Sequence, residues 1–242
     1  MDHRAFWLPK RGNRPDECED AWSANSMRGR FAVADGAAES AFARSWAQCL
    51  VDRFKDASGT GESWVDALPA IQSQWAAAFH GQQLPWYAEA KLQQGAFATF
   101  LGLIVGAEGS TARWWEAIAV GDSCLFQTRG AKLMAAFPLT AAEQFSNSPH
   151  LLGSRTPVTE IRTRRLRTTR GVGQANDRFW LMTDALAQWW LAEHQAARRP
   201  WESLEPLLLP ADAEEDFAAW IEDLRDRQQI RNDDVTLLAI WL

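Results

Sequence analysis

The chain has 242 residues, 47% of them hydrophobic and 23% charged, and its 25 basic and 31 acidic side chains leave a net charge of −6. Such a length and composition fit one globular domain spanning residues 1–242 with a substantial core, and exclude a disordered or low-complexity chain. The acidic balance argues against a nucleic-acid or anionic-membrane partner, and no apolar run approaches the roughly 20 residues of a membrane helix.

In chain order, residues 1–7 are too short and too polar for a signal peptide, so a cytoplasmic protein is expected. Residues 31–34 form a short apolar run with strand character. Phe42, Trp46, Cys49, Leu50 and Phe54 then recur at helical spacing, and Trp64, Leu68, Ile71, Trp75 and Phe79 repeat the pattern. Further apolar runs at 96–105, 114–120 and 124–127 predict strands. Residues 160–169 alternate less cleanly and are a weaker strand candidate. A strand at 179–182 is followed by a helix from Ala185 towards Ala197, ending before Arg198-Arg199-Pro200. Phe217, Trp220, Ile221 and Leu224 predict another helix, and Asp212 with Glu215 three residues later resembles a capping box at its start. A last strand is expected at 235–241. Helices early and late with strands clustered between them suggest an α+β layered sandwich rather than a strictly alternating fold. The 14 tryptophans lie mostly on these apolar faces and read as core.

Cys18, Cys49 and Cys124 are far apart and form no CxxC pair, so they read as free thiols. The histidines at 3, 80, 150 and 194 show no paired spacing, which argues against a histidine metal centre or a Ser-His-Asp machine. Carboxylates are the informative groups. Glu19-Asp20 precedes Ala21-Trp22, Asp35-Gly36 follows the first apolar run, and Gly121-Asp122-Ser123 follows another. Thr183-Asp184 closes the 179–182 run, and Asp233-Asp234 stands just before the last strand. One aspartate at a strand end is an ordinary turn former. Five such positions at the ends of strands in one sandwich can bring several carboxylates to one edge. There they resist ionisation unless a cation compensates, and hard ions such as Mg²⁺ or Mn²⁺ are the natural partners. Gly36, without a side chain, would let its carbonyl approach an ion closely.

In that order and spacing, these five motifs resemble the metal-dependent Ser/Thr protein phosphatases of type 2C, over residues 11 to 240. Gly95-Ala96-Phe97-Ala98-Thr99 is similar to a degraded form of the family's Gly-Thr-Thr strand. The resemblance implies a four-layer αββα sandwich, two antiparallel sheets face to face with helices outside each. It also implies two Mg²⁺ or Mn²⁺ ions at one edge. Carried over by motif, Asp20, Asp35, Asp184 and Asp233 would ligate the ions. Asp35 would bridge both, the Gly36 carbonyl would complete one shell, and Glu19 would act through metal-bound water. Asp122 matches a position that helps hold a weaker third ion in some members. Water activated between two such ions attacks phosphorus without any protein nucleophile.

The sequence departs from the family pattern at several points. Ala37-Ala38-Glu39 stands where a further glycine pair is usual, Ala185 replaces a glycine, and Gln188 replaces an acidic residue. Asp234 replaces the commoner Asn. None of these changes removes one of the four main ligands. Family spacing places a phosphate-binding arginine at Pro15, which makes Arg14 the candidate, with Arg11 and Lys10 as alternatives. The basic run Arg162, Arg164, Arg165, Arg167 and Arg170 reads either as a solvated strand face or as an attractor of acidic substrates. Gly171-Val172-Gly173 lacks the setting of a nucleotide loop. Residues 143–149 fit a loop over the active edge and ordinary turn chemistry equally well. The expected function is hydrolysis of phospho-Ser and phospho-Thr in proteins, with a cognate Ser/Thr kinase as a candidate partner. The alternatives are an inactive binding module on the same fold for a kinase or regulator, and a phosphatase for small esters.

Overall fold

The computed structural model describes residues 1–37, 40, 42–79, 81–83, 85–108, 112–209 and 212–242. One antiparallel sheet runs in the order β1 (Asp2–Leu8), β12 (Val235–Trp241), β11 (Asp177–Met182), β7 (Cys124–Arg129) and β8 (Lys132–Phe137). The second runs β10 (Arg167–Gly173), β6 (Ala112–Val120), β5 (Phe100–Glu108), β3 (Arg30–Asp35) and β2 (Asp20–Asn25). A small pair joins β4 (Phe97–Ala98) to β9 (Leu152–Gly153).

Strand alternation explains why the two sheets stack and why helices cover both outer faces. On β5, Leu101, Leu103 and Val105 face the other sheet, where they meet Leu125, Phe179, Leu181, Leu238 and Ile240. Phe100 and Ile104 point the opposite way, into a cluster with α1 (Ala43–Asp56) and α2 (Gly61–Ala77). On β11, Trp180 and Met182 likewise point outward, to α5 (Asp184–Gln195), α6 (Pro200–Leu204) and α7 (Ala213–Asp226). Three apolar interfaces therefore separate four layers, the expected αββα sandwich. Strands with two buried faces read as continuous apolar runs, which is why the central strands were visible in the sequence.

Trp46, Trp64, Trp180, Trp190 and Trp201 are fully buried, as the core reading expects, whereas Trp86 is 81% exposed. Trp190 stacks on Phe126 with centroids 4.9 Å apart and planes at 10°. Phe126→Leu keeps an apolar group of similar volume but loses this stacking. A cost of about 1–2 kcal/mol is expected, read as a lower urea midpoint at unchanged m.

Two local expectations need correction. Residues 160–169 do not form one strand: α4 (Val158–Glu160) continues into a wider helical turn over Ile161–Arg165, and only then does β10 begin. Val158 and Ile161, three residues apart, share a helical face that packs on the α1–α2 cluster. The Asp212–Glu215 capping box is also absent. Asp212 is the N-cap, but with φ −95° and ψ 25° its side chain makes no cap bond, and its carbonyl accepts the amides of Glu215 and Asp216 instead. Strands β1 and β8 and helices α3 (Trp86–Gln94) and α6 were not expected from sequence. The basic run is largely paired: Arg162 with Asp66, Arg165 with Glu160 and Arg170 with Glu116. All three cysteines are free.

Candidate active site

The β2–β3 hairpin sets the first two carboxylates. Its register places Asp20, which opens β2, opposite Asp35, which closes β3. The chain then turns at Gly36, whose amide donates to the Glu19 carbonyl at 3.2 Å. A Cβ on Gly36 would stand 2.9 Å from that oxygen and from the backbone of Ala43, so glycine is needed for α1 to approach the hairpin. Thr99 holds Asp35 from the neighbouring strand. Its amide donates to the Asp35 carbonyl at 2.8 Å, and its Oγ1 accepts the Asp35 amide at 3.3 Å. The same hydroxyl meets Ser123 Oγ at 2.7 Å. Gly121 makes the β6–β7 turn that delivers Asp122: it has φ +102°, and a Cβ there would lie 2.7 Å from the Thr99 side chain.

The facing sheet contributes the rest. Thr183 ends the run from β11 into α5; its hydroxyl donates to Asp20 Oδ2 at 2.9 Å and accepts the Thr236 amide at 2.9 Å. One hydroxyl thus ties both sheets together at the carboxylate edge. Asp234 is committed to the backbone, its two oxygens accepting the amides of Lys10 and Glu19, each at 2.7 Å. That leaves Asp233 to project at the edge. Asp184 begins α5 and pairs with the Arg231 guanidinium, whose Nε lies 3.5 Å from Asp233 Oδ2. Thr99, Thr183, Arg231 and Lys91 were missed as site residues. Thr99 and Thr183 lie inside quoted motifs, and their roles as supports could have been inferred from that placement.

Burial, with crowding second, sets the electrostatics. Asp35 is held well above the ordinary carboxylate range, first by burial and then by the charges of Asp20, Asp233, Asp122 and Asp234. Burial likewise raises Asp20 and Glu19 to about 7 each, with Asp234 and Asp233 adding to both. Asp122 is raised to about 6 by burial, against the pull of Arg231. These groups share one field, as the end-of-strand pattern suggests.

An open basin of about 620 Å³ lies against this edge. Glu19, Asp35, Gly36, Ala37 and Asp233 line one side; Lys91 and Gln94 of α3 and the loop residues Asn147, Ser148 and Pro149 line others. Of the 143–149 segment, the last three residues line the basin, whereas Glu143 pairs with Gln195. Ala38 and Glu39 lie outside the described residues. Asp20, Asp122 and Asp184 are not among the described lining residues. Arg14 is placed elsewhere: its exposed side chain pairs with Asp16 at 3.1 Å and with Glu17 at 3.7 Å, and it is not among the described lining residues. Arg11 is engaged with Glu222 and Asp226.

As the side chains stand, no group of three His, Cys, Asp or Glu among the described residues converges tightly enough to hold an ion. The donor set nevertheless suits hard cations. Asp20 Oδ1 and both Asp122 carboxylate oxygens are buried without a hydrogen-bond partner, and every acidic donor is oxygen. Burying such groups unpaired is costly, and a divalent ion would relieve that cost.

Residues 12–226 match the protein phosphatase 2C family. The chain belongs to that family. No curated protein sequence is significantly similar to it. Its fold is similar to the serine/threonine phosphatase PstP/Ppp of Mycobacterium tuberculosis, with TM-score 0.64 and 19% identity over 100% of this chain and 98% of that one. A structure of the PstP catalytic domain with two manganese ions gives TM-score 0.60 and 17% identity, covering 98% and 96% of the two chains. PppA, described as a key regulatory component of T6SS in Pseudomonas aeruginosa, gives 0.57 and 18%, also over 98% and 96%. These structures share the overall fold of this chain. No helix among the described residues is long and apolar enough to cross a membrane.

Proposed function

We propose that the protein is a Mg²⁺- or Mn²⁺-dependent phosphatase acting on phospho-Ser and phospho-Thr in proteins. The observation that carries this reading is the cross-strand Asp20–Asp35 pair, which faces Asp233 beside an open basin and leaves a buried Asp20 oxygen without a partner. Asp20, Asp35, Asp184 and Asp233 would hold two ions, with the Gly36 carbonyl and Glu19 beside them and Asp122 available for a third. Once bound, such ions supply Lewis acidity towards phosphate and a water acidic enough to react near neutral pH.

The chain's own groups do the rest. Thr183 and Thr99 fix Asp20 and the backbone of Asp35, so the paired carboxylates present a set geometry. Asp234 clamps the Lys10 and Glu19 amides and so holds the strand entering β2 against the edge. Lys91 gives the basin wall a positive charge that would attract a phosphate dianion. Arg14 could serve as a further phosphate ligand only by leaving Asp16 and Glu17. The open basin suits a phosphorylated loop on a protein, and a cognate kinase would supply that substrate.

The Arg231–Asp184 ion pair favours a second reading, a catalytically weak binding module for a kinase or regulator. Hydrolysis of p-nitrophenyl phosphate and of phosphopeptides, with Mn²⁺, with Mg²⁺ and with EDTA, separates the two. Turnover with either ion and its loss in EDTA is expected. Folded protein that hydrolyses neither substrate with metal present would hand the case to the binding module.

A further inference from the structure

Arg231 lies two residues before Asp233, in the segment between α7 and β12. Its guanidinium touches Asp184 through Nη2 and lies beside Asp233 through Nε. Asp122 is within electrostatic reach of both Arg231 and Asp233, and neither of its carboxylate oxygens has a hydrogen-bond partner. Two carboxylates therefore touch one guanidinium and a third lies within its field, leaving a formal charge of −2 when all are ionised, which is one divalent ion's worth.

The backbone holds this arginine in place. The Asp233 amide donates to the Arg231 carbonyl at 3.0 Å, closing a tight turn around Asn232. The Asn232 side chain is pinned to the backbone of Arg11 at both its oxygen and its nitrogen. The Asp233 carbonyl accepts Arg225 Nη2 at 2.6 Å. The turn is thus anchored on both sides, and the Arg231 side chain, one-third exposed, is held among the described residues only by its carboxylate partners. A guanidinium and a metal ion cannot occupy the same Asp184 oxygen, and two cations so close repel strongly in a half-buried site.

We propose that Arg231 is a tethered cation occupying the Asp122–Asp184–Asp233 corner, so that a divalent ion enters there only by displacing it. The inference rests on the metal-centre reading above. It makes the edge asymmetric: ions bind tightly on the Asp20–Asp35 side, where no described cation is ion-paired to either carboxylate, and weakly at the Asp184 corner. Metal concentration would then decide how many ions the protein carries.

Calorimetric Mn²⁺ titration of the full chain tests this directly. Wild type should show a tight and a weak class. Arg231→Ala should strengthen the weak class about tenfold, equivalent to about 1.4 kcal/mol, and leave the tight class within twofold. Arg231→Lys, which keeps the charge, should stay near wild type. Arg199→Ala, which breaks an exposed pair with Glu202, should change nothing. Without metal, Arg231→Ala should melt below wild type, and saturating Mn²⁺ should close the gap. If the alanine variant does not fold, Arg231→Gln carries the same expectations. Equal or weaker Mn²⁺ binding in the neutral variants, with wild type binding normally, overturns the displacement alone. Absence of Mn²⁺ binding in both wild type and variants overturns the metal centre and this proposal with it.

Discussion

Asp35→Asn should lose the metal pair and lower turnover by roughly a thousandfold, about 4 kcal/mol of transition-state stabilisation. Asp35 is the only carboxylate that is both the cross-strand partner of Asp20 and part of the described basin lining. Replacing one of its oxygens with an amide nitrogen removes both a charge and a donor from the centre of the cluster. The fold should survive, and the sign of the linkage explains why. A carboxyl raised on folding binds its proton more tightly in the folded state, so its contribution to stability falls as pH rises from about 4 through its folded value. The burial and crowding of the Asp35 charge therefore destabilise the metal-free protein at pH 8. The amide relieves both, and metal-free Asp35→Asn should resist urea at pH 8 at least as well as wild type. Calorimetry with Mn²⁺ provides the other check, and wild-type affinity in the variant would sink the assignment.

Asp177→Ala should cost about 2–3 kcal/mol at pH 7, the scale of losing charge-assisted bonds and leaving buried amide donors unpaired while Arg129 stays one-third exposed. Asp177 is fully buried at the start of β11, at the end of the sandwich opposite the acidic edge. Its Oδ1 accepts Arg129 Nε at 2.6 Å, and its Oδ2 accepts Arg129 Nη2 at 2.8 Å, Gln127 Nε2 at 2.7 Å and the Gln174 amide at 2.9 Å. Gln127 also donates to the Val172 carbonyl on β10, so this carboxylate anchors a link between the two sheets. Burial alone would raise the acid, but the Arg129 pair and the amide donors hold it below its ordinary value. A lowered acid contributes stability above its unfolded value near 4 and loses it as pH falls through the folded one. The gap between wild type and variant should accordingly narrow below pH 4. Urea unfolding at pH 7 and pH 3 measures both; an equal gap at the two values would show that packing, not charge, sets the cost.

The same contrast separates what was legible in the sequence from what was not. Central strands such as β3, β5 and β12 announced themselves because both faces are buried and the chain must be apolar at every position. α1, α2, α5 and α7 did so because each buries one stripe. Asp20, Asp35, Asp122, Asp184 and Asp233 were found because each is adjacent to such a strand, so that local pattern and chemistry coincide. Edge elements were silent. β1 runs Asp2-His3-Arg4-Ala5-Phe6-Trp7-Leu8, pairs on one side only, and buries Phe6 alone. α3 buries no described side chain, yet supplies Lys91 to the basin.

What the sequence by itself determined was the buried central strands, the helices that bury one stripe and the order of acidic motifs along them, because periodicity and turn chemistry are written in near neighbours. Only the tertiary structure decided how those acids are partnered. Asp234 went to the Lys10 and Glu19 amides, Asp184 to Arg231 47 positions further on, and Asp20 to Thr183 on the opposite sheet. The energy of a buried charge depends on which strand ends meet at one edge, and that is a property of the packed sandwich.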